Sequence, residues 1–313
     1  MTKLYIAVPC YNEEEVLPDT APRLRDKLRA LMDEGMITRD SRVVFIDDGS
    51  SDRTWEFISK LHNADSIFSG IRLSRNRGHQ NAVMCGLMTL REEADAVISI
   101  DADLQDDIEV FDDMLRKYED GCDVVYGVRS KRETDTFFKR FTAESYYKVL
   151  DKMGAKVIFN HADYRLMSRR ALDAFAEFGE TNLFLRGLVP MVGFRSDIVT
   201  YERSERTAGE SKYPLKKMLA LAWEGITSLS TKPIKLITRL GLFIFLVSIV
   251  MLIYTLVRYF TGATETGWAS LAISIWAIGG LQLLAIGIIG EYIGKIYLET
   301  KRRPRYIVEE FLK

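Results

Sequence analysis

Two carboxylates, Asp101 and Asp103, stand one residue apart directly after the apolar run Ala96-Val97-Ile98-Ser99-Ile100. Such a run reads as a buried strand, so both acids leave its carboxyl end, the edge at which open α/β sheets bind ligands. Acids this close repel each other unless a cation lies between them. Hard oxygen ligands suit Mg²⁺ or Mn²⁺ bridging a diphosphate. An acid-rich helix start is the structural alternative. Three further strand-like runs end in polar clusters: Pro9-Cys10-Tyr11-Asn12-Glu13-Glu14, Asp47-Asp48-Gly49-Ser50-Ser51-Asp52 and Arg75-Asn76-Arg77-Gly78-His79. Each alone is compatible with turn and cap chemistry. In a parallel sheet all four converge on one edge.

The elements that would position them alternate regularly. Strands are predicted at Leu4–Val8, Arg42–Ile46, Ile71–Leu73, Ala96–Ile100 and Val124–Tyr126, and helices near Val16–Leu31, Thr54–Leu61, Asn81–Leu90 and Val110–Tyr118. That order predicts an α/β fold, a mainly parallel sheet with helices on both faces. Neither GxGxxG nor GxxxxGK[ST] occurs, which disfavours a dinucleotide-dependent dehydrogenase or a P-loop NTPase.

The chain has 313 residues and a formal net charge of −1, so overall charge carries no nucleic-acid signal. Its three cysteines, Cys10, Cys85 and Cys122, are widely spaced in apolar surroundings and read as reduced core residues. His62, His79 and His161 are scattered and form no zinc pattern. Thr2 and Lys3 lead directly into the first strand, and no cleavable leader is expected.

After about residue 233 the composition changes. Leu240–Val257 and Trp268–Ile289 carry no charge, and each approaches the roughly 20 residues that cross a bilayer. The short Arg258–Gly267 stretch between them makes a hairpin. Lys232, Lys235 and Arg239 flank it on one side and Lys295, Lys301, Arg302, Arg303 and Arg305 on the other, so both termini are expected in the cytoplasm. Leu215, Met218, Leu219, Ala222, Trp223, Ile226 and Leu229 recur at helical spacing, as in a helix lying in the membrane interface or packed on the soluble domain. The expected organisation is a soluble domain over 1–212, this amphipathic helix over 213–232, two spans near 236–260 and 268–292 within 233–294, and a basic tail over 295–313. Gly290 and Gly294 have the spacing that lets helices approach closely, serving either a homo-oligomer or packing inside the hairpin.

The strand-end motifs together resemble family 2 glycosyltransferases of the GT-A fold. Three later stretches narrow the resemblance to polyprenyl-phosphate glycosyltransferases such as the bactoprenol glucosyltransferases and, more distantly, dolichyl-phosphate mannose synthase. They are Ala162-Asp163-Tyr164-Arg165-Leu166-Met167-Ser168-Arg169, Asn182-Leu183-Phe184-Leu185-Arg186-Gly187-Leu188 and Arg206-Thr207-Ala208-Gly209-Glu210-Ser211-Lys212-Tyr213. The QxxRW motif of processive polysaccharide synthases is missing. The resemblance implies a cradle for the nucleotide sugar from Pro9, Tyr11, Asn12, Glu13 and one of Asp47 or Asp48, with Asp101 and Ala102 also on the donor. A carboxylate can accept a uracil imide N–H and Tyr11 can offer its ring face.

On an extended segment residues i and i+2 share a side, so Asp101, Asp103 and Gln105 are expected to face one Mg²⁺ or Mn²⁺ acting as a Lewis acid on the diphosphate. Arg206, Ser211 and Lys212 lie in a Gly-containing loop suited to closing over the diphosphate, or to meeting anionic lipid. Arg129 is a further phosphate candidate. Asp163 occupies the family's catalytic position, as base or as orienting group, and Arg165 would pair with it or bind the acceptor phosphate. A polyprenyl monophosphate, with a second pKa of about 6, hardly needs deprotonating.

The expected activity is inverting transfer of a hexose from a UDP-sugar to undecaprenyl or another polyprenyl phosphate at the inner face of the cell membrane. The alternatives are a different lipid or polysaccharide acceptor, or a non-catalytic nucleotide-sugar-binding scaffold. The charge asymmetry makes one direct prediction. A cysteine replacing Ala263 will react with a membrane-impermeant thiol reagent in intact cells and one replacing Lys313 will not; the opposite pattern reverses the orientation.

Overall fold

The computed structural model describes residues 1–130, 161–202, 226–228, 230–260 and 267–313. Strands are β1 (Leu4–Cys10), β2 (Arg42–Asp47), β3 (Phe68–Leu73), β4 (Ala96–Ser99), β5 (Val124–Arg129), β6 (His161–Ser168), β7 (Ser196–Tyr201) and β8 (Val308–Leu312). Helices are α1 (Leu17–Asp33), α2 (Thr54–Ala64), α3 (His79–Leu90), α4 (Phe111–Glu119), α5 (Arg169–Ala176), α6 (Leu185–Leu188), α7 (Lys232–Phe260) and α8 (Trp268–Lys301). Each strand and helix expected between residues 4 and 126 is present, with ends moved by up to three residues, and the two expected apolar helices begin up to four residues earlier and end up to nine later.

The strands form one sheet in the order β7-β5-β6-β4-β1-β2-β3-β8. β1 pairs in parallel with both β2 and β4, so strand order reverses beside β1. That reversal opens the crevice in which α/β sheets bind ligands. The sheet is mixed, because β6 runs antiparallel between β4 and β5, and β8 antiparallel beside β3. The tail expected beyond residue 295 is thus partly helix and partly strand. α8 continues to Lys301, and the last strand returns to the soluble domain. Val308–Leu312 follows a charged, Pro-containing segment, and only pairing with β3 reveals it as a strand.

The alternation of β1 divides the core. Leu4, Ile6, Val8 and Cys10 face a layer built by Leu17, Leu24 and Leu28 of α1, Ile58 of α2 and Phe111 and Met114 of α4. Tyr5 and Ala7 face α3 and α5 through Val83, Leu87, Leu172 and Phe175. Cys10, Cys85 and Cys122 are buried free thiols in these layers.

α7 and α8 have 29 and 34 residues, about 44 and 51 Å at roughly 1.5 Å per residue. Leu242, Phe243, Val250, Leu283, Leu284 and Ile286 are exposed on them. Among the described residues one stretch, Ile278–Lys301, is long and apolar enough to cross a membrane. No described atom lies within 4 Å of a Cβ placed at Gly279, Gly280, Gly287, Gly290 or Gly294. The turn at 261–266 and most of the amphipathic segment expected at 213–232 lie outside the described residues.

Gly49 sits just past β2 with φ of 66°, and a Cβ there would lie 2.5 Å from the Arg75 carbonyl carbon. Gly49→Ala will therefore lower stability by about 2 kcal/mol or more, strained both in φ and in contact. A urea midpoint equal to wild type would contradict this.

Candidate active site

At the carboxyl edge of β1, β2 and β4 lies a cavity of about 530 Å³. Its wall includes Pro9 and Cys10 at the end of β1, Tyr11 and Glu13 after it, Asp48 after β2, Asn76 to Gln80 excepting Arg77 before and at the start of α3, and Asp101 to Asp103 after β4. Asp163, Phe184 and Arg186 complete the wall. Four polar strand ends thus converge, as their spacing predicts.

Antiparallel pairing brings Asp163 there. β4 and β6 pair Ser99 with Arg165, so two residues further on Asp163 comes level with Asp101, and the Ser99 hydroxyl donates to the Asp163 carbonyl at 2.7 Å. Arg165 is fully buried behind it. Its Nη2 lies 2.5 Å from Asp163 Oδ1, and its Nη1 donates to the Leu185 carbonyl at 3.4 Å. Arg186 Nη2 reaches Asp163 Oδ2 at 3.4 Å. His79 Nε2 stands 3.7 Å from both Asp163 Oδ2 and Asp101 Oδ1.

These neighbours set the charge states. Burial by itself would raise the Asp163 pKa, but His79, Arg186 and Arg165 outweigh it and hold the carboxyl well below the usual carboxylate range. Asp101 moves the other way. Desolvation pushes its pKa up, His79 opposes that, and Asp163, Asp106 and Asp103 add to it. Desolvation disfavours the His79 imidazolium, yet Asp163 and Asp101 more than compensate and raise its pKa.

The cradle residues divide. Pro9, Tyr11, Glu13, Asp48, Asp101 and Ala102 line the cavity. Asp47 does not: it is buried, accepts the Ser50 N–H at 3.1 Å and faces Arg72 at 3.8 Å. Asp48 accepts the Arg77 and Gly78 N–H groups at 2.7 and 2.8 Å, tying the loop before α3 to the end of β2. Asn12, with φ of 55°, accepts the Ser51 N–H at 2.8 Å and so joins the first two strand ends.

The extended geometry assumed for Asp101–Gln105 does not hold. The chain turns, with Leu104 N–H donating to the Asp101 carbonyl at 3.3 Å and Leu104 at φ 41°. Asp101 and Asp103 stay on the wall while Gln105 is buried away from it. Among the described residues no three His, Cys, Asp or Glu side chains form a metal-binding group. The donor chemistry still fits a hard cation, because Asp101 and Asp103 present adjacent carboxylates inside an acid-crowded recess. Arg129 lies off the wall, 3.2 Å from Asp106, which also accepts the Tyr201 hydroxyl at 2.6 Å. Arg206, Ser211 and Lys212 lie outside the described residues.

His79, Arg186, Phe184, Gln80 and Asn76 were given no role by the sequence. The polar run Arg75–His79 and the Asn182–Leu188 stretch marked their neighbourhoods, but facing Asp163 is a tertiary property.

A carboxylate-lined crevice at the switch point of a mixed α/β sheet, followed by an apolar helical hairpin, fits the glycosyltransferase class that the sequence motifs resemble. Residues 5–175 match glycosyl transferase family 2 and residues 232–296 match the GtrB C-terminal hairpin, so the chain belongs to glycosyl transferase family 2. It is 52% identical to the uncharacterized glycosyltransferase YkoT of Bacillus subtilis (strain 168), covering 98% of this chain and 91% of that protein. It is 41% identical to the bactoprenol glucosyl transferase of Shigella phage SfX, covering 98% and 99%. A similar solved structure is glucosyl-3-phosphoglycerate synthase from Mycobacterium tuberculosis in complex with Mn²⁺, UDP-glucose and phosphoglyceric acid. Its TM-score is 0.46 and its identity 18%, over 73% of this chain and 78% of that one.

Proposed function

We propose that this glycosyltransferase moves a hexose from a UDP-sugar to undecaprenyl or a related polyprenyl phosphate at the cytoplasmic face of the cell membrane. The observation that carries the reading is the convergence of Asp101, Asp103, Asp163 and Arg186 on one cavity, in a chain whose hairpin exposes apolar side chains. The likeness over nearly the whole chain to a bactoprenol glucosyl transferase supports the acceptor.

The donor diphosphate lies beside Asp101 and Asp103, with the nucleoside toward Pro9, Tyr11, Glu13 and Asp48. These two acids would hold Mg²⁺ or Mn²⁺, which when bound supplies Lewis-acid neutralisation of the diphosphate. A phosphate oxygen of the acceptor forms the bond to the anomeric carbon as the bond to the diphosphate breaks on the opposite face. The products are an inverted polyprenyl-phosphate sugar and the nucleoside diphosphate. Arg186 and His79 offer positive charge to the incoming phosphate. A carboxylate held at low pKa is a poor proton acceptor, so Asp163 orients the acceptor and balances charge developing at the anomeric carbon. Arg165 keeps it in place.

β1 and β8 belong to one sheet, which supports placing both termini on one side of the bilayer, and the basic flanks assign that side to the cytoplasm. The open glycine face of α8 is where a second copy would associate.

The test is full-length enzyme with UDP-sugars, undecaprenyl phosphate and Mg²⁺ or Mn²⁺, followed by mass analysis of the lipid. Undecaprenyl phosphate heavier by one hexose is expected; sugar found only on diacylglycerol or polysaccharide overturns the reading. Asp103→Asn will lower turnover about a hundredfold or more, and full activity in EDTA contradicts its metal role. Asp163→Asn will leave UDP affinity near wild type while turnover collapses. Because the Asp163 pKa is lowered in the fold, it stays ionised throughout the neutral range. Asp163 will therefore contribute no rising limb near neutral pH, and the limb from acceptor phosphate ionisation near about 6 will appear in wild type and mutant alike. A limb present in wild type and lost in the mutant would make Asp163 a base.

A further inference from the structure

The segment carrying Phe184 and Arg186 into the cavity is held from two sides by side chains that accept its backbone N–H groups. On one side Gln80, the second residue of α3, accepts the Leu185 N–H at 2.9 Å. On the other the contact comes from the far end of the hairpin. Glu299, in the last turn of α8, accepts the Thr181 N–H at 2.8 Å on both carboxylate oxygens. Its Oε1 also accepts the Asn182 N–H and the Asn182 Nδ2–H, each at 2.8 Å.

Glu299 is more than a hundred residues away in sequence from the segment it holds. Neighbouring contacts continue the strap. Lys295 donates to the Thr227 and Ser228 hydroxyls at 2.6 and 2.9 Å, and Arg305 donates to the Phe178 carbonyl at 2.6 Å. Ser74 N–H donates to the Ile307 carbonyl at 3.0 Å, just before β8 joins the sheet.

We infer that Glu299 is a positioning residue for the acceptor side of the site, fixing the 181–186 segment, and with it Arg186 and Phe184, to the end of the membrane hairpin. The inference rests on the reading of the acceptor as a membrane-borne phosphate. A charge-assisted bond from a carboxylate to backbone N–H groups is strong and directional. A group misplaced by about 1 Å can lose catalysis on the order of a hundredfold. Donor contacts after β1 and β2 belong to other elements and do not pass through this strap. Asn182, first residue of a stretch the sequence singled out without a role, is the strap's partner.

The experiment compares wild type, Glu299→Ala, Glu299→Gln and Asn182→Ala as full-length proteins, using UDP-glucose and undecaprenyl phosphate. Glu299→Ala will lower kcat/KM for the lipid at least about tenfold while UDP Kd stays within about twofold. Glu299→Gln keeps an Oε1 able to accept three of the four bonds and will recover to within about threefold. Asn182→Ala will fall between. Wild-type transfer in Glu299→Ala, or UDP affinity falling in step with transfer, overturns the proposal. If Glu299→Ala does not fold, Asn182→Ala decides it, and unchanged lipid kinetics there overturn it. If wild type transfers nothing to the lipid, the functional reading fails separately. The rate of UDP-glucose hydrolysis then reads the site: a change in Glu299→Ala restored in Glu299→Gln supports positioning, and no change overturns it.

Discussion

The buried ion pair of Arg165 and Asp163 is the interaction on which the site depends. Arg165, on β6, is wholly buried and donates to the Leu185 carbonyl at the start of α6. A guanidinium taken out of water costs several kcal/mol unless a carboxylate meets it at good geometry. Asp163 meets it on one oxygen and turns the other to the cavity, where Arg186 and His79 face it. The fold thereby holds an anion in the wall of the pocket. The same arrangement holds the Asp163 carboxyl well below the usual carboxylate range, as the proposed orienting role requires.

The rest of the pocket is built by side chains that hold backbone. Asp48 fixes the loop before α3 through the Arg77 and Gly78 N–H groups, which sets where His79 begins the helix. Asn12 and Ser50 lock the first two strand ends together, the Ser50 hydroxyl accepting the Asn12 N–H at 2.9 Å. Gln80 and Glu299 hold the segment that carries Phe184 and Arg186. Asp48 and Gln80 hold backbone and line the cavity at once, whereas Asn12 and Glu299 hold backbone from outside its wall. Rigid support of this kind keeps charged groups in register at little reorganisation cost.

The hairpin is tied into the sheet domain. α8 is about 51 Å long at roughly 1.5 Å per residue, against a hydrocarbon core of about 30 Å. Its last turns reach the catalytic domain, and the chain then closes the sheet with β8. The apolar hairpin and the pocket are thus joined by one continuous stretch from α8 to the last strand.

Much of this was legible in the sequence because it rests on local signals. Apolar runs and helical periodicity located the strands and helices of the soluble domain. The polar clusters after β1, β2, β3 and β4 marked the correct sheet edge, since a parallel strand must deliver its carboxyl end there. Uncharged stretches after residue 233 marked the hairpin. What the sequence could not decide were relations between distant segments. The antiparallel entry of β6, which sets Asp163 level with Asp101, depends on strand pairing. Gln105 turned away because the chain bends at Leu104, and alternation applies only to extended backbone. Asp47 and Asp48 are neighbours of one type, and only packing buried the first against Arg72 and left the second on the wall. His79, Arg186 and Glu299 carry no local signature. Their roles come from what the fold sets opposite them, because charge and hydrogen bonding act through space.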